Sequence, residues 1–218
     1  MRAIVTGADQ PIGAAVVAGL RTGGAAVAAL DLAIADRQAT GDGVSGAVTA
    51  LGGLDLLVIT GWAAAGLRPV AFEGLGDDDF AAIWEGGMQG MLWTLQSAIP
   101  ALRAAAGAVV VVLPTTGMTG GARYAVAAAT FEGQRILLKA AVRQLGPEGI
   151  RVNAIAVAAE LVLTDAAIAG VHYLAPPAIA EAPEAADVTD VVDFLVSPAG
   201  RHLSGQTITI DGGRWLAP

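Results

Sequence analysis

Arg2-Ala3-Ile4-Val5-Thr6-Gly7-Ala8-Asp9-Gln10-Pro11-Ile12-Gly13 is the stretch on which the architecture of this chain turns. Arg2–Val5 is apolar after its first residue, as in a strand buried on both faces. Gly7–Gly13 reads as a loop, and Ala14–Thr22 as a helix ended by Gly23-Gly24. Ala25–Leu30 is a second strand that closes on Asp31. Glycines between a strand and a helix let the backbone turn tightly and approach a pyrophosphate, which also gains from the helix N-terminus. Asp31 offers a carboxylate to the hydroxyls of an adenosine ribose and repels a 2′-phosphate. The same residues also read as a structural strand–helix turn with a solvated Asp31.

Outward from this unit, short apolar runs alternate with longer Ala-rich helical stretches, the pattern of a parallel sheet covered on both faces. Leu54–Ile59, Ala108–Leu113, Ile150–Val157 and Thr207–Ile210 read as strands. Asp79–Leu102, Tyr124–Leu145 and Val188–Val196 read as helices. Asp165–Glu184, with Pro176-Pro177 and Pro183, reads as a loop able to cover a site. No repeat or linker interrupts the pattern, so a single domain over residues 1–218 is expected.

The 218 residues carry 12 basic and 20 acidic side chains, a formal charge of −8, without any basic run. That balance disfavours nucleic acid and anionic membrane surfaces as partners. The absence of cysteine removes thiol nucleophiles and thiolate metal sites. No apolar run reaches membrane-spanning length, and the start turns into a glycine loop too early for a secretory signal. A cytoplasmic protein is expected.

Two later stretches carry a resemblance. One is Leu145-Gly146-Pro147-Glu148-Gly149-Ile150-Arg151-Val152-Asn153-Ala154-Ile155; the other is Phe194-Leu195-Val196-Ser197-Pro198 followed by Leu203-Ser204-Gly205-Gln206-Thr207 and Asp211-Gly212-Gly213. With Leu54-Asp55-Leu56-Leu57-Val58 as the fourth family strand, the chain resembles the short-chain dehydrogenase/reductases over nearly its whole length. The resemblance implies an α/β fold, a Rossmann-like doubly wound sheet of seven parallel strands in the order 3-2-1-4-5-6-7. The interval from Asp31 to Thr60 is short for that family, which implies loss of the second helix, with Asp42 kept as the third-strand Asp that meets adenine. Gly7, Gln10, Ile12, Gly13, Asp31, Asp42 and Thr60 are the implied cofactor-binding residues, with NAD preferred over NADP.

The family's hydride transfer uses a tyrosine, a lysine, a serine and an asparagine. Counting back without gaps from Leu145-Gly146-Pro147, the tyrosine position falls on Ala127, the lysine on Phe131 and the serine on Pro114. The asparagine falls on Gly87, and Thr115 or Thr116 is a candidate for the missing hydroxyl. Lys139 is the single lysine of the chain, about two helical turns past Phe131. A divergent branch, the enoyl-acyl carrier protein reductases, places its tyrosine seven residues before the lysine, which is Tyr124 here. Other departures are Pro11 in the glycine loop, Ile59-Thr60-Gly61-Trp62 after the fourth family strand, and Val157-Ala158 after the sixth.

Together these departures imply a degenerate active site in which NAD binding is weakened or lost. The expected function is then a non-catalytic or repurposed subunit that assembles with itself or with an active relative, as a homo- or hetero-oligomer. The alternative is an NAD-dependent oxidoreductase of enoyl-reductase-like mechanism using Tyr124, with a small-molecule ligand. His172, His202 and the Asp77-Asp78-Asp79 helix start read as surface groups, and Glu85 and Glu132 as helix charges or acid/base candidates of a repurposed cleft. Nothing in the sequence points to a metal.

Overall fold

The computed structural model describes residues 1–31, 36–62, 64–163 and 176–216. Six parallel strands form one sheet in the order β2-β1-β3-β4-β5-β6. They are β1 (Arg2–Thr6), β2 (Ala26–Leu30), β3 (Leu56–Ile59), β4 (Ala108–Pro114), β5 (Arg151–Val157) and β6 (Thr207–Ile210). Helices α1 (Pro11–Thr22) and α6 (Ala185–Val196) pack together on one face. On the other face α2 (Arg37–Leu51) packs on α3 (Asp77–Ala105), which packs on α5 (Ala125–Leu145). A single turn, α4 (Thr116–Thr119), precedes α5.

The central strands are apolar throughout because both faces are covered. Ile4 lies opposite Ala28 on one side and Leu57 on the other, and Ile4, Val5, Leu57, Val58 and Ile155 are completely buried. β2 is only partly buried, as an edge strand is.

The expected loss of the second helix is wrong, and among the described residues the sheet has six strands rather than the expected seven. α2 is present, capped at Asp36, whose Oδ1 accepts from the Gln38 and Ala39 N–H groups at 2.7 and 3.0 Å. It ends at Gly52 in the left-handed region, φ +70°, and it buries Thr40, Val44 and Ala47. Only Gly52-Gly53-Leu54-Asp55 separate α2 from β3, too few for another strand and the crossover a parallel neighbour needs. The shortening therefore removes the outermost strand, and α2 carries the chain directly from β2 past β1 to β3. Asp42 lies on α2, exposed, where it accepts from Gln38 Nε2 at 2.9 Å; it is not a strand carboxylate.

Two ties hold the ends of the sheet. At the start of β1 and β3, the Arg2 guanidinium reaches both Asp55 oxygens, at 3.1 and 2.5 Å, and the Gly52 carbonyl at 2.6 Å. Arg151 on β5 donates to the Leu195 carbonyl at 2.5 Å, placing a cation at the C-terminal end of α6. Burial lowers the pKa of that guanidinium. Among the described residues, no helix is long and apolar enough to cross a membrane.

Candidate active site

A cavity of about 720 Å³ opens at the C-terminal ends of β1 and β3, where the strand order reverses direction across the sheet. Open α/β sheets bind ligands at this switch point. The β1–α1 loop, the residues after β3, and facing stretches of α3 and α5 form its wall.

The loop has its shape because two glycines allow close approach. Gly7 adopts φ +65°, and a Cβ on it would lie 2.4 Å from the Thr60 carbonyl oxygen. A Cβ on Gly13 would lie 2.1 Å from the Gly7 oxygen. α1 starts at Pro11, a position where the missing N–H costs nothing, rather than at Ala14 as expected. Ile12 and Gly13 are buried beneath the loop, and neither is among the described residues of the cavity wall.

Gly7, Gln10, Asp31 and Thr60 do line the cavity. Asp31 Oδ1 accepts from the Asp9 N–H at 2.9 Å, which ties the loop to the end of β2. Gln10 Nε2 donates to the Trp62 carbonyl at 3.3 Å. Trp62 is buried and stands in the wall, so it fills space beside the loop. Thr60 spends its hydroxyl on the Thr6 carbonyl at 2.6 Å, so it shapes the site through the backbone.

On the helical side the wall includes Ile83, Glu85, Gly87, Met91, Thr94, Thr130, Phe131 and Gln134. Gly87 and Phe131, two of the positions matched to the tetrad, therefore face the cavity, whereas Ala127 is buried and absent from the described wall. Lys139 is exposed and also absent from that wall. Glu85 is exposed on α3 at the wall; Glu132 is engaged by Arg135, whose Nε reaches both carboxylate oxygens at 2.9 and 2.8 Å. Among the described wall residues, the charged side chains are Asp9, Asp31 and Glu85, with no lysine or arginine.

Tyr124 immediately precedes α5 and is 3% exposed; burial pushes its phenol above the ordinary tyrosine pKa. It is not part of the described cavity wall. Thr115 and Thr116 are buried at the end of β4, where the Thr115 N–H donates to the Val157 carbonyl at 2.8 Å. His172 and residues 165–175 of the expected covering loop lie outside the described residues, while His202 is exposed.

Sequence reasoning missed Gln134, Thr130, Thr94 and Gln89. For Gln134 a signal existed. Ala127, Phe131, Gln134 and Leu138 repeat at helical spacing, which puts one amide in an apolar stripe.

The chain is similar to 3-oxoacyl-[acyl-carrier-protein] reductase FabG of Staphylococcus aureus, 28% identical over 209 residues, covering 93% of this chain and 82% of the relative. It is also similar to trans-4-hydroxycyclohexanecarboxylate dehydrogenase of Sinomonas cyclohexanicum, 27% identical over 183 residues, 84% of this chain and 68% of the relative. A short-chain dehydrogenase of Burkholderia cenocepacia, solved in complex with NADP, superposes with a TM-score of 0.82 at 27% identity, over 98% of this chain and 97% of the other. The fold is shared with a Brucella melitensis 3-ketoacyl-(acyl-carrier-protein) reductase complexed with NADH, TM-score 0.83 at 22% identity, over 98% and 97% of the two chains. These relatives, named for reductase and dehydrogenase activities, overturn the expectation of a non-catalytic subunit and point to a catalytic reductase. Residues 3–214 match the family model described as enoyl-(acyl carrier protein) reductase, and the chain belongs to that family of short-chain dehydrogenase/reductases.

Proposed function

We propose that this protein is an NAD-dependent oxidoreductase that reduces an acyl-type carbonyl or enoyl group, acting as a single domain. The observation that carries the reading is the position of Asp31 in the wall of a cavity at the strand-order switch point. The residues present fit a dinucleotide: the glycine loop approaches the end of β3 closely, α1 presents its N-terminus beside it, and Asp31 keeps one oxygen beyond the one bonded to Asp9. That carboxylate favours ribose hydroxyls over a 2′-phosphate, which supports NAD in preference to NADP. Asp42, exposed on α2, is not part of this cofactor proposal.

The cofactor, when bound, supplies the hydride. The chain's own part is to bind, to exclude water and to deliver a proton. With Ala127 and Phe131 at the tyrosine and lysine positions matched by sequence, we assign the proton to the Tyr124 hydroxyl. A tyrosine phenol is protonated at neutral pH and so can act as an acid in the reducing direction, although burial, which pushes its pKa up, makes it a weaker one. The 3-oxoacyl substrate named for the Staphylococcus relative supports a thioester-linked carbonyl as the substrate class. Exposed Phe80 and Leu92 on α3 and Ile136 on α5 support self-association through these helices, which sedimentation of the purified protein measures.

Calorimetric titration with NADH and NADPH, followed by NADH oxidation with acetoacetyl-CoA, tests the reading. Binding of NADH in preference to NADPH and turnover are expected, with Tyr124→Phe losing on the order of a hundredfold in kcat or more. Failure to bind NADH refutes the oxidoreductase reading; full activity of Tyr124→Phe refutes the proton assignment.

A further inference from the structure

Gln134 lies on the face that α5 turns inward, in line with Ala127, Phe131 and Leu138 and one turn from Thr130, and it is only 7% exposed. Its Nε2 donates to the Gly87 carbonyl oxygen at 2.9 Å, bridging α5 to α3. Its Oε1 is buried and has no hydrogen-bond partner among the described residues, and the residue lines the cavity. The bridge sets the amide's orientation, because turning it over would press Oε1 against the Gly87 oxygen, acceptor against acceptor. Gly87 makes the bridge feasible. A Cβ there would stand 2.4 Å from Thr130 Cγ2 and 3.6 Å from Gln134 Nε2.

A buried amide oxygen without a donor is destabilising, so a bound group that donates to it gains affinity. Helical side chains lean toward the N-terminus of their helix, which brings the Gln134 amide over the turn of Thr130 and Phe131, both in the cavity wall. Ile83, Met91 and Phe131 surround the cavity with apolar surface, where a hydrogen bond is stronger than in water. Oε1 only accepts, so a carboxylate or phosphate finds no donor in it, and no described wall residue supplies a cation. A neutral hydroxyl suits it.

We infer that Gln134 is a ligand-binding residue whose Oε1 accepts a hydrogen bond from a hydroxyl of the bound molecule. The inference rests on the cavity being a dinucleotide and substrate site. Two sources share the chemistry: the nicotinamide ribose, and the carbinol of the alcohol form of the substrate.

The test compares wild type with Gln134→Met, which keeps the side chain's length and removes the acceptor. NADH affinity is measured by calorimetry, beside an NADH analogue lacking the nicotinamide-ribose hydroxyls. KM and kcat are measured for 3-hydroxybutyryl-CoA oxidation. If the ribose donates, Gln134→Met loses about tenfold in NADH affinity and nothing for the analogue. If the carbinol donates, NADH affinity holds while KM for the alcohol rises about tenfold with kcat little changed. Gln134→Glu keeps an acceptor and loses the donor to Gly87, so it retains more affinity than Gln134→Met even where it melts lower. It also serves should Gln134→Met fail to fold. Neither shift appearing, or all ligands weakening in parallel with the melting temperature, overturns the inference. A wild-type protein that takes up neither NADH nor the thioester refutes the underlying reading of the cavity, a result distinct from intact wild-type binding with indifferent variants.

Discussion

Thr6 and Thr60 exchange hydrogen bonds across the C-terminal ends of β1 and β3: Thr60 Oγ1 donates to the Thr6 carbonyl at 2.6 Å, and Thr6 Oγ1 donates to the Thr60 carbonyl at 3.1 Å. Both residues are buried, and the exchange fixes the floor on which the Gly7 loop rests. Thr60→Val keeps the shape and removes the hydroxyl that donates. It is expected to cost about 1–3 kcal/mol by leaving the Thr6 carbonyl without that donor. Chemical denaturation reads the loss, and calorimetry should show weaker NADH binding as the loop loosens.

Asp31 is the residue on which the dinucleotide preference should depend. Asp31→Asn retains an oxygen to accept from the Asp9 N–H but removes the charge, so the loop stays tied while the repulsion of a 2′-phosphate is lost. Asp31 is exposed, and like charges about 4 Å apart in water repel by ~1 kcal/mol, so a several-fold preference for NADH is expected in wild type. The preference should shrink in Asp31→Asn, and in wild type at high salt. Parallel titrations with NADH and NADPH decide it; an unchanged ratio in the variant refutes the role.

Gly87 and Thr130 set the distance between α3 and α5. Gly87→Ala drives a Cβ to 2.4 Å from Thr130 Cγ2 and is expected to destabilise by about 1–3 kcal/mol, the usual cost of overpacking. Thr130→Ala removes the clashing methyl, and among the described residues the Thr130 hydroxyl bonds within its own helix, to the Val126 carbonyl at 2.9 Å. The double variant should therefore be more stable than Gly87→Ala, a non-additivity that thermal melts of the four proteins measure.

The Arg2–Asp55 pair makes the fold sensitive to acid. The Arg2 hydrogen bonds hold the Asp55 carboxyl below its ordinary value of 3.8. As pH falls, the unfolded chain takes up this proton first, so the contribution is full above that ordinary value and is lost as pH drops through the lower folded value. Asp55→Asn should melt lower than wild type at pH 7, with the gap closing as pH falls below the ordinary carboxylate range. A gap that stays constant between pH 7 and pH 2 would contradict the assignment.

Much of the fold was legible because its signals are local. The apolar run of β1, the glycine loop and the acid after β2 occupy one short stretch, and Gly7, Gln10 and Asp31 do meet at one cavity. The interval between Asp31 and Asp55 was misread, although Asp36 and Gly52 stand at the two ends of α2 as ordinary caps. A resemblance to longer relatives located the deletion, but it could not say whether helix or strand had gone.

Residue type and spacing determined by themselves that strands alternate with helices, that the first turn is tight, and that an acid closes β2, since each depends on neighbours a few positions apart. The tertiary structure decided that α2 survives and the outer strand does not, that Asp42 faces solvent, that Thr60 spends its hydroxyl on Thr6, and that the Gln134 amide is anchored on Gly87. Those contacts depend on how the elements pack: residues 54 and 47 positions apart meet only when β3 pairs with β1 and α3 closes on α5. Spacing along one element does not encode that packing.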